Sequence, residues 1–167
     1  MKEKLFNDIN DQVNFELFSA HTYLSMAAYC SAEGLDGFAN FFIVQAEEER
    51  FHGMKLYGFL NDNGFTVRIK GFEDPEFEFE SLLDVFEKAL EHEKVVTSRI
   101  YALQDTAYEC REWKTINMLN WFVEEQVEEE ASFDSLITKL KLIQNDSSAI
   151  YAMDNELAAR TFTPPAK

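Results

Sequence analysis

The chain has 167 residues, 46% of them hydrophobic and 14% aromatic, which supplies one sizeable core and excludes a disordered chain. Fifteen basic against thirty-one acidic residues leave a net charge of −16, arguing against nucleic acid or an anionic membrane as partner and for attraction of cations. Cys30 and Cys110 fit neither a disulfide framework nor a thiolate zinc site, so both read as packed thiols. The start, Met1-Lys2-Glu3-Lys4, lacks an apolar signal core and no run approaches the ~18 apolar residues of a membrane span, so a soluble, cytoplasmic protein is expected.

From about Glu3 to Ala32, apolar residues recur at Leu5, Ile9, Val13, Ala20, Tyr23 or Leu24, and Ala27, the period of a long helix. Glu16 lies three residues after Val13 and four before Ala20, on the apolar stripe itself. Gly34 ends this helix and Asp36 is placed to cap the next, which runs from Gly37 to about Asn63. So short a link makes the two helices an antiparallel hairpin. In the second helix Glu49 and His52 share a face with Phe42, Leu56 and either Phe59 or Leu60.

The segment Gly64 to Glu80 breaks the pattern with Gly64, Gly71 and Pro75, and the alternation of Phe65, Val67 and Ile69 suggests extended chain. Roughly 17 extended residues reach up to ~55 Å, while a helix of about 27 residues is ~40 Å long. The segment is therefore read as a crossover running the length of a bundle, and Phe72, Phe77 and Phe79 on it as candidates for contact with another subunit. Ser81 with Asp84 resembles a capping box and opens a third helix through Leu82, Phe86, Ala89 or Leu90, Val96, Ile100 and Leu103, with Glu93 in its stripe. A turn falls between Ala107 and Trp113. The fourth helix carries Ile116, Leu119, Phe122 or Val123, Phe133, Ile137 and Leu140, with Gln126 and Glu129 midway. Asn145 to Ser148 break the chain, a short fifth helix follows within 147–159, and Pro164-Pro165 end the helical pattern.

Each long helix thus places one or two polar residues at mid-length on an apolar face: Glu16, Glu49 with His52, Glu93, and Gln126 with Glu129. Singly, each is compatible with a surface residue one step out of phase. Four at one depth converge in a bundle, and carboxylates crowded there repel unless a cation sits among them. Four carboxylates and one imidazole suit iron or manganese rather than structural zinc. Glutamate-bearing helices combined with Glu-x-x-His pairs form the di-iron pattern of four-helix bundles. Here Glu49-x-x-His52 is complete, whereas the fourth helix has Gln126-x-x-Glu129 without a second histidine, which makes the second metal position weaker and richer in oxygen. Glu48, Glu125 and Glu128 are candidates for a third cation position beside the pair.

Glu16 with Tyr23 seven residues on, Glu48-Glu49-x-x-His52, His92-Glu93, and Asn120-Trp121-Phe122-Val123-Glu124-Glu125-Gln126-x-Glu128-Glu129-Glu130 together resemble the non-haem bacterial ferritins over essentially the whole chain. The resemblance implies an all-α, ferritin-like four-helix bundle in a single domain, 1–167, with the long crossover between helices 2 and 3 and a short fifth helix. It implies a shell of twenty-four subunits that oxidises Fe(II) with O2 or H2O2 and stores Fe(III) as a mineral. Carried over by position, Glu16, Glu49 and His52 hold the first iron, and Glu49, Glu93 and Glu129 the second, with Gln126 beside them. Glu48, Glu125, Glu128 and Glu129 match a third iron position, and Tyr23 and Trp121 match aromatics that supply electrons.

Departures sharpen the resemblance. Bacterioferritins carry a haem-ligating Met after the bridging Glu and a His at the position of Glu129; Arg50 and Glu129 stand here, so no haem is expected. Animal ferritins line a threefold channel with carboxylates ten and seven residues before the glutamine, where this chain has Ile116 and Leu119, which leaves another pore for iron entry. His21 and His92 lie off the ligand stripes and read as surface or interface residues. Two other functions fit the bundle: a rubrerythrin-like peroxidase, which needs two CxxC pairs this chain lacks, and an inert bundle used for assembly or cation buffering.

Overall fold

The computed structural model describes residues 2–165 and contains five helices: α1 (Lys2–Ala32), α2 (Asp36–Asp62), α3 (Leu82–Cys110), α4 (Trp113–Ile143) and α5 (Ser147–Leu157). No strand occurs among the described residues. α1 and α2 form one hairpin and α3 and α4 another, the hairpins meet through α1 and α3, and α5 lies against α2 and α4. Where the period left two candidates for the inward position, burial decides. Tyr23, Leu60, Ala89 and Phe122 are buried, while Leu24 is exposed and Phe59, Leu90 and Val123 are half-buried.

The apolar interior is divided in two. One cluster gathers Tyr23, Phe42, Phe86 and Phe133 at the end where α2 and α3 begin. The other gathers Ile9, Leu56, Ile100 and Phe122 at the opposite end. Between them every long helix contributes its polar residues, so the carboxylates form a layer across the middle. α2 finishes at one end and α3 starts at the other, which is the topological reason for the crossover. The crossover is fastened to α1 by two asparagines one helical turn apart. Asn10 donates to Arg68 O at 3.1 Å and accepts from Arg68 N at 2.8 Å. Asn14 donates to Arg68 O at 2.9 Å and accepts from Lys70 N at 2.7 Å. These side-chain amides replace the neighbouring strand that an extended segment otherwise needs. Phe65 and Val67 rest on the core as their alternation predicts, but Ile69 is exposed.

Several local expectations are corrected. Asp36 does not cap α2. Leu35 is the cap residue and offers no side-chain bond; instead Asp154 of α5 reaches across and accepts from Phe38 N at 2.9 Å, placing a carboxylate at the positive end of α2. The cap of α3 follows the expected chemistry, Ser81 Oγ accepting from Asp84 N at 3.1 Å. The turn before α4 is tighter than the broad break expected, consisting of Arg111, in the left-handed region at φ 55°, and Glu112. Capped by Asp146, α5 begins at Ser147 and ends at Leu157. The three crossover phenylalanines have separate fates: Phe79 packs on Tyr29 and Phe72 edges onto Phe18 and His21, whereas Phe77 remains 71% exposed. Cys30 is buried, which pushes its thiol up to about 12, and Cys110 is half-buried; both are free.

α5 docks so closely that a Cβ added at Gly37 meets Asp154 O at 1.7 Å. Gly→Ala inside a helix ordinarily stabilises by about 1 kcal/mol. Here Gly37→Ala is expected to destabilise by about 1–3 kcal/mol through overpacking, and to speed amide exchange across Ser147–Leu157. Denaturant unfolding and hydrogen exchange check it; an alanine variant as stable as the parent contradicts the docking.

Candidate metal centre

The polar layer presents Glu16 from α1, Glu49 and His52 from α2, Glu93 from α3, and Gln126 and Glu129 from α4. Glu16, Glu49 and Glu93 are at most 1% exposed. The helical period brings them there. On each helix the polar residue continues the stripe that carries the apolar residues one turn away on either side, so no local distortion is needed to aim it inward.

Two groups of ligand atoms result. Glu16, Glu49 and His52 offer atoms all within 4.8 Å of one another, and so do Glu49, Glu93 and Glu129. Glu49 belongs to both. His52 Nδ1 lies 3.6 Å from Glu49 Oε2. Glu16 Oε2 and Glu49 Oε2 are buried without a hydrogen-bond partner, a costly arrangement unless a cation takes their lone pairs. Hard oxygen donors with one imidazole fit Fe(II).

The titration behaviour follows from burial. Removal from water holds the carboxyls of Glu16, Glu49 and Glu129 above the usual carboxylate range, and for Glu49 and Glu129 the neighbouring Glu93 raises them further. Glu93 is pushed to about 7 by burial, although hydrogen bonds from Tyr23 and Gln126 pull the other way. Burial lowers His52 to about 4, with Lys55 adding to the effect, so its imidazole stays neutral and keeps a lone pair for a metal.

Around the ligands stand groups that only donate or orient. The Tyr23 hydroxyl, fully buried, donates to Glu93 Oε1. Gln126 turns its amide NH2 toward Glu93, donating to Oε2 at 3.1 Å and to the backbone oxygen at 3.2 Å, with Thr97 Oγ1 also at 3.1 Å. In this arrangement Gln126 is a hydrogen-bond partner of Glu93. Two glutamines absent from the sequence reading complete the ring. Gln12 donates to Glu16 Oε1 at 2.9 Å, and Gln45 donates to Glu49 Oε1 at 3.2 Å and Glu129 Oε2 at 2.8 Å. Each lies four residues before a glutamate on the same helix face, a spacing visible in the chain that their neutral amides did not flag.

The third cluster is looser. Glu48 and Glu125 are half-buried beside a cavity of about 160 Å³ over His52, which Trp121 and the tail residues Phe162 and Pro165 also line; Glu128 is exposed. Among the described residues these glutamates are not brought to the ligand spacing of the first two groups. Trp121 packs edge-on against His52 at 5.5 Å. Ile116 and Leu119 are buried in the core. His92 is half-buried, stacked on Phe15 at 5.4 Å, with Nε2 2.7 Å from Ser19 Oγ, and burial lowers it to about 4. His21 is exposed.

An antiparallel helical bundle whose middle layer carries two overlapping groups of carboxylate and imidazole atoms that could hold metal ions has the architecture of the carboxylate four-helix bundles. The chain belongs to the ferritins: residues 6–143 match the family described as ferritin-like domain. It is 46% identical over 162 residues to a bacterial non-heme ferritin of Staphylococcus aureus (strain USA300), covering 97% of this chain and 98% of that one. A bacterial non-heme ferritin of Staphylococcus haemolyticus (strain JCSC1435) is 45% identical over the same length. Among solved structures, a closed form of the Archaeoglobus fulgidus ferritin made by site-directed mutagenesis superposes with a TM-score of 0.96 at 43% identity, covering 98% of this chain and 99% of that one. The open-pore ferritin of that archaeon gives 0.94 at 43% identity, covering 95% and 98%. The all-α, ferritin-like bundle expected from the sequence is the fold observed. No described helix is long and apolar enough to cross a membrane.

In the metal-free protein Glu93 retains its proton from its ordinary 4.5 up to about 7 while the unfolded chain has already lost it, so its contribution to stability fades as pH rises through that window. Glu16, Glu49 and Glu129 act in the same direction. His52 and His92, at about 4 against 6.5, act oppositely between those values. With four carboxylates against two imidazoles, metal-free stability is expected to fall between pH 5 and 7.5. Glu93→Gln should flatten the slope and saturating Zn(II) should remove it; denaturant midpoints across pH measure all three.

Proposed function

We propose that the protein is an iron-storage ferroxidase, a single domain over residues 1–167, that binds two Fe(II) ions as substrate between Glu16, Glu49, His52, Glu93 and Glu129. The observation carrying this reading is that Glu49 belongs to both ligand groups, so one carboxylate can hold two ions close enough to react with one oxidant. Two Fe(II) each give one electron to O2, which with two protons leaves as H2O2. Alternatively H2O2 is the oxidant and leaves, with two protons, as two waters. The carboxyl protons displaced when iron binds supply protons where they are consumed.

Glu48, Glu125, Glu128 and Glu129 serve a third iron position toward which oxidised iron passes. Tyr23, bonded to Glu93, and Trp121, packed on His52, stand where a reducing equivalent can be drawn. Gln126 orients Glu93. The relatives named above support a homo-oligomeric shell, for which twenty-four chains is the expected number, holding Fe(III) as mineral in the cytoplasm without haem. Exposed Arg50 follows the bridging glutamate where a haem ligand stands in bacterioferritins.

Removing the shared carboxylate is the direct test. Glu49→Ala is expected to assemble normally by native sizing yet to lose fast Fe(II) oxidation by about a hundredfold or more, since disturbing outer partners of a metal site alone costs 10–100-fold. Anaerobic Fe(II) titration of the parent should saturate near two to three ions per chain. Rapid oxidation by the variant, or no saturable binding by the parent, sinks the assignment in favour of an inert bundle.

A further inference from the structure

Gln45 is 1% exposed and one helical turn before Glu49. Its amide nitrogen ties Glu49 Oε1 to Glu129 Oε2, and its amide oxygen accepts from Arg160 Nη2 at 3.0 Å. Arginine can only donate, so the guanidinium settles which way the amide faces: oxygen outward to arginine, nitrogen inward to the two carboxylates. Arg160 is itself firmly seated. Its Nη1 donates to Phe41 O at 2.9 Å and its guanidinium lies 4.2 Å from the Phe41 ring centre. Its backbone oxygen accepts from Asn40 Nδ2 at 3.0 Å. The same Nη2 pairs with Glu48 Oε2 at 2.9 Å.

The opposite side of the layer repeats the plan. Gln12, four residues before Glu16, donates to that carboxylate and accepts from Arg99 Nε at 2.7 Å, and Arg99 lies 4.1 Å over Phe15. An aromatic platform, an arginine, a glutamine and a metal-binding glutamate thus occur twice. The two differ in where the arginine comes from and in what else it holds. Arg99 comes from α3, a helix of the bundle, whereas Arg160 comes from the tail after α5 and also engages Glu48, a carboxylate of the proposed third iron position.

We propose that Arg160 is a positioning residue of the iron centre and a tethered cation at its third position. Through Gln45 it fixes the shared Glu49 and Glu129; by pairing with Glu48 it occupies the place of the third iron. An iron ion arriving at Glu48 displaces the guanidinium, frees the Gln45 oxygen, and so loosens the link between Glu49 and Glu129. Filling of the third position is in this way coupled to the grip on the second iron. The proposal rests on the ferroxidase reading above for its iron chemistry and on geometry alone for the clamp.

The test uses full-length Arg160→Ala and Arg160→Lys. Crystal structures of the metal-free proteins read the clamp without iron. Gln45 is expected to swing away from Glu129 in both variants, since a lysine ammonium cannot reach Phe41 O, Gln45 and Glu48 together. Anaerobic Fe(II) titration reads the competition: in Arg160→Ala the third position should bind about tenfold more tightly and the second about tenfold more weakly, as expected for losing a charged hydrogen bond. Arg160→Lys, retaining a cation beside Glu48, should restore the weak third position but not the second. Gln45 unmoved in metal-free Arg160→Ala, or parental affinities at both positions, overturns the proposal. If the parent itself shows no saturable Fe(II) binding, the ferroxidase reading fails while the metal-free structures still decide the clamp.

Discussion

Taking carboxylates out of water is the constraint on which the rest of this structure depends. Glu16, Glu49, Glu93 and Glu129 lie in the middle of an apolar bundle, where an unpaired charge is far more costly than any single packing contact is favourable. Each must be protonated or face a cation. The fold provides for both states: Tyr23, Gln12, Gln45 and Gln126 donate to one side of the carboxylates, while Glu16 Oε2 and Glu49 Oε2 are left without partners. Neutral His52 belongs to the same logic, because an imidazolium in this layer would repel the ion the carboxylates attract.

The polar layer also explains the shape of the core. It separates two apolar clusters, so the packing that stabilises the bundle lies at its ends and the chemistry at its centre. Long helices are required for this, since a short one cannot bury a full apolar cluster on both sides of its glutamate. The crossover and α5 are then consequences of length. The crossover returns the chain from one end to the other and is tied to α1 through Asn10 and Asn14; α5 covers the start of α2 and delivers Asp154 to its N-terminus and Arg160 to its flank.

What was legible in the sequence were features with a period. Stripes of apolar residues located the four long helices, and the glutamates interrupting them located the layer. The charge of those residues made them conspicuous, while Gln12 and Gln45, at the same spacing but neutral, passed unnoticed. Contacts between distant segments had no period to reveal them: Asp154 displacing Asp36 as the cap of α2, the asparagines holding the crossover, and Arg160 reaching Gln45. The surroundings of His92 were hidden for a related reason. It lies off the ligand stripe, and only the contact between α1 and α3 shows that Phe15 and Ser19 enclose it.

The two candidate ligand groups are unequal, and the inequality has a direction. The first has an imidazole whose proton affinity is lowered by burial, a ligand ready at neutral pH. The second is made of oxygen alone; burial pushes Glu93 to about 7 and raises Glu129 as it raises Glu16 and Glu49, so a cation at either group competes with carboxyl protons. Where a second histidine would complete a symmetric pattern, Gln126 donates its amide NH2 to Glu93. Beyond these groups, the half-buried carboxylates Glu48 and Glu125 line the cavity that opens beside His52. The gradient therefore runs from a nitrogen-bearing position, through an oxygen-only one, toward a more open acidic surface. That order suits ions passing through the centre better than ions retained in it.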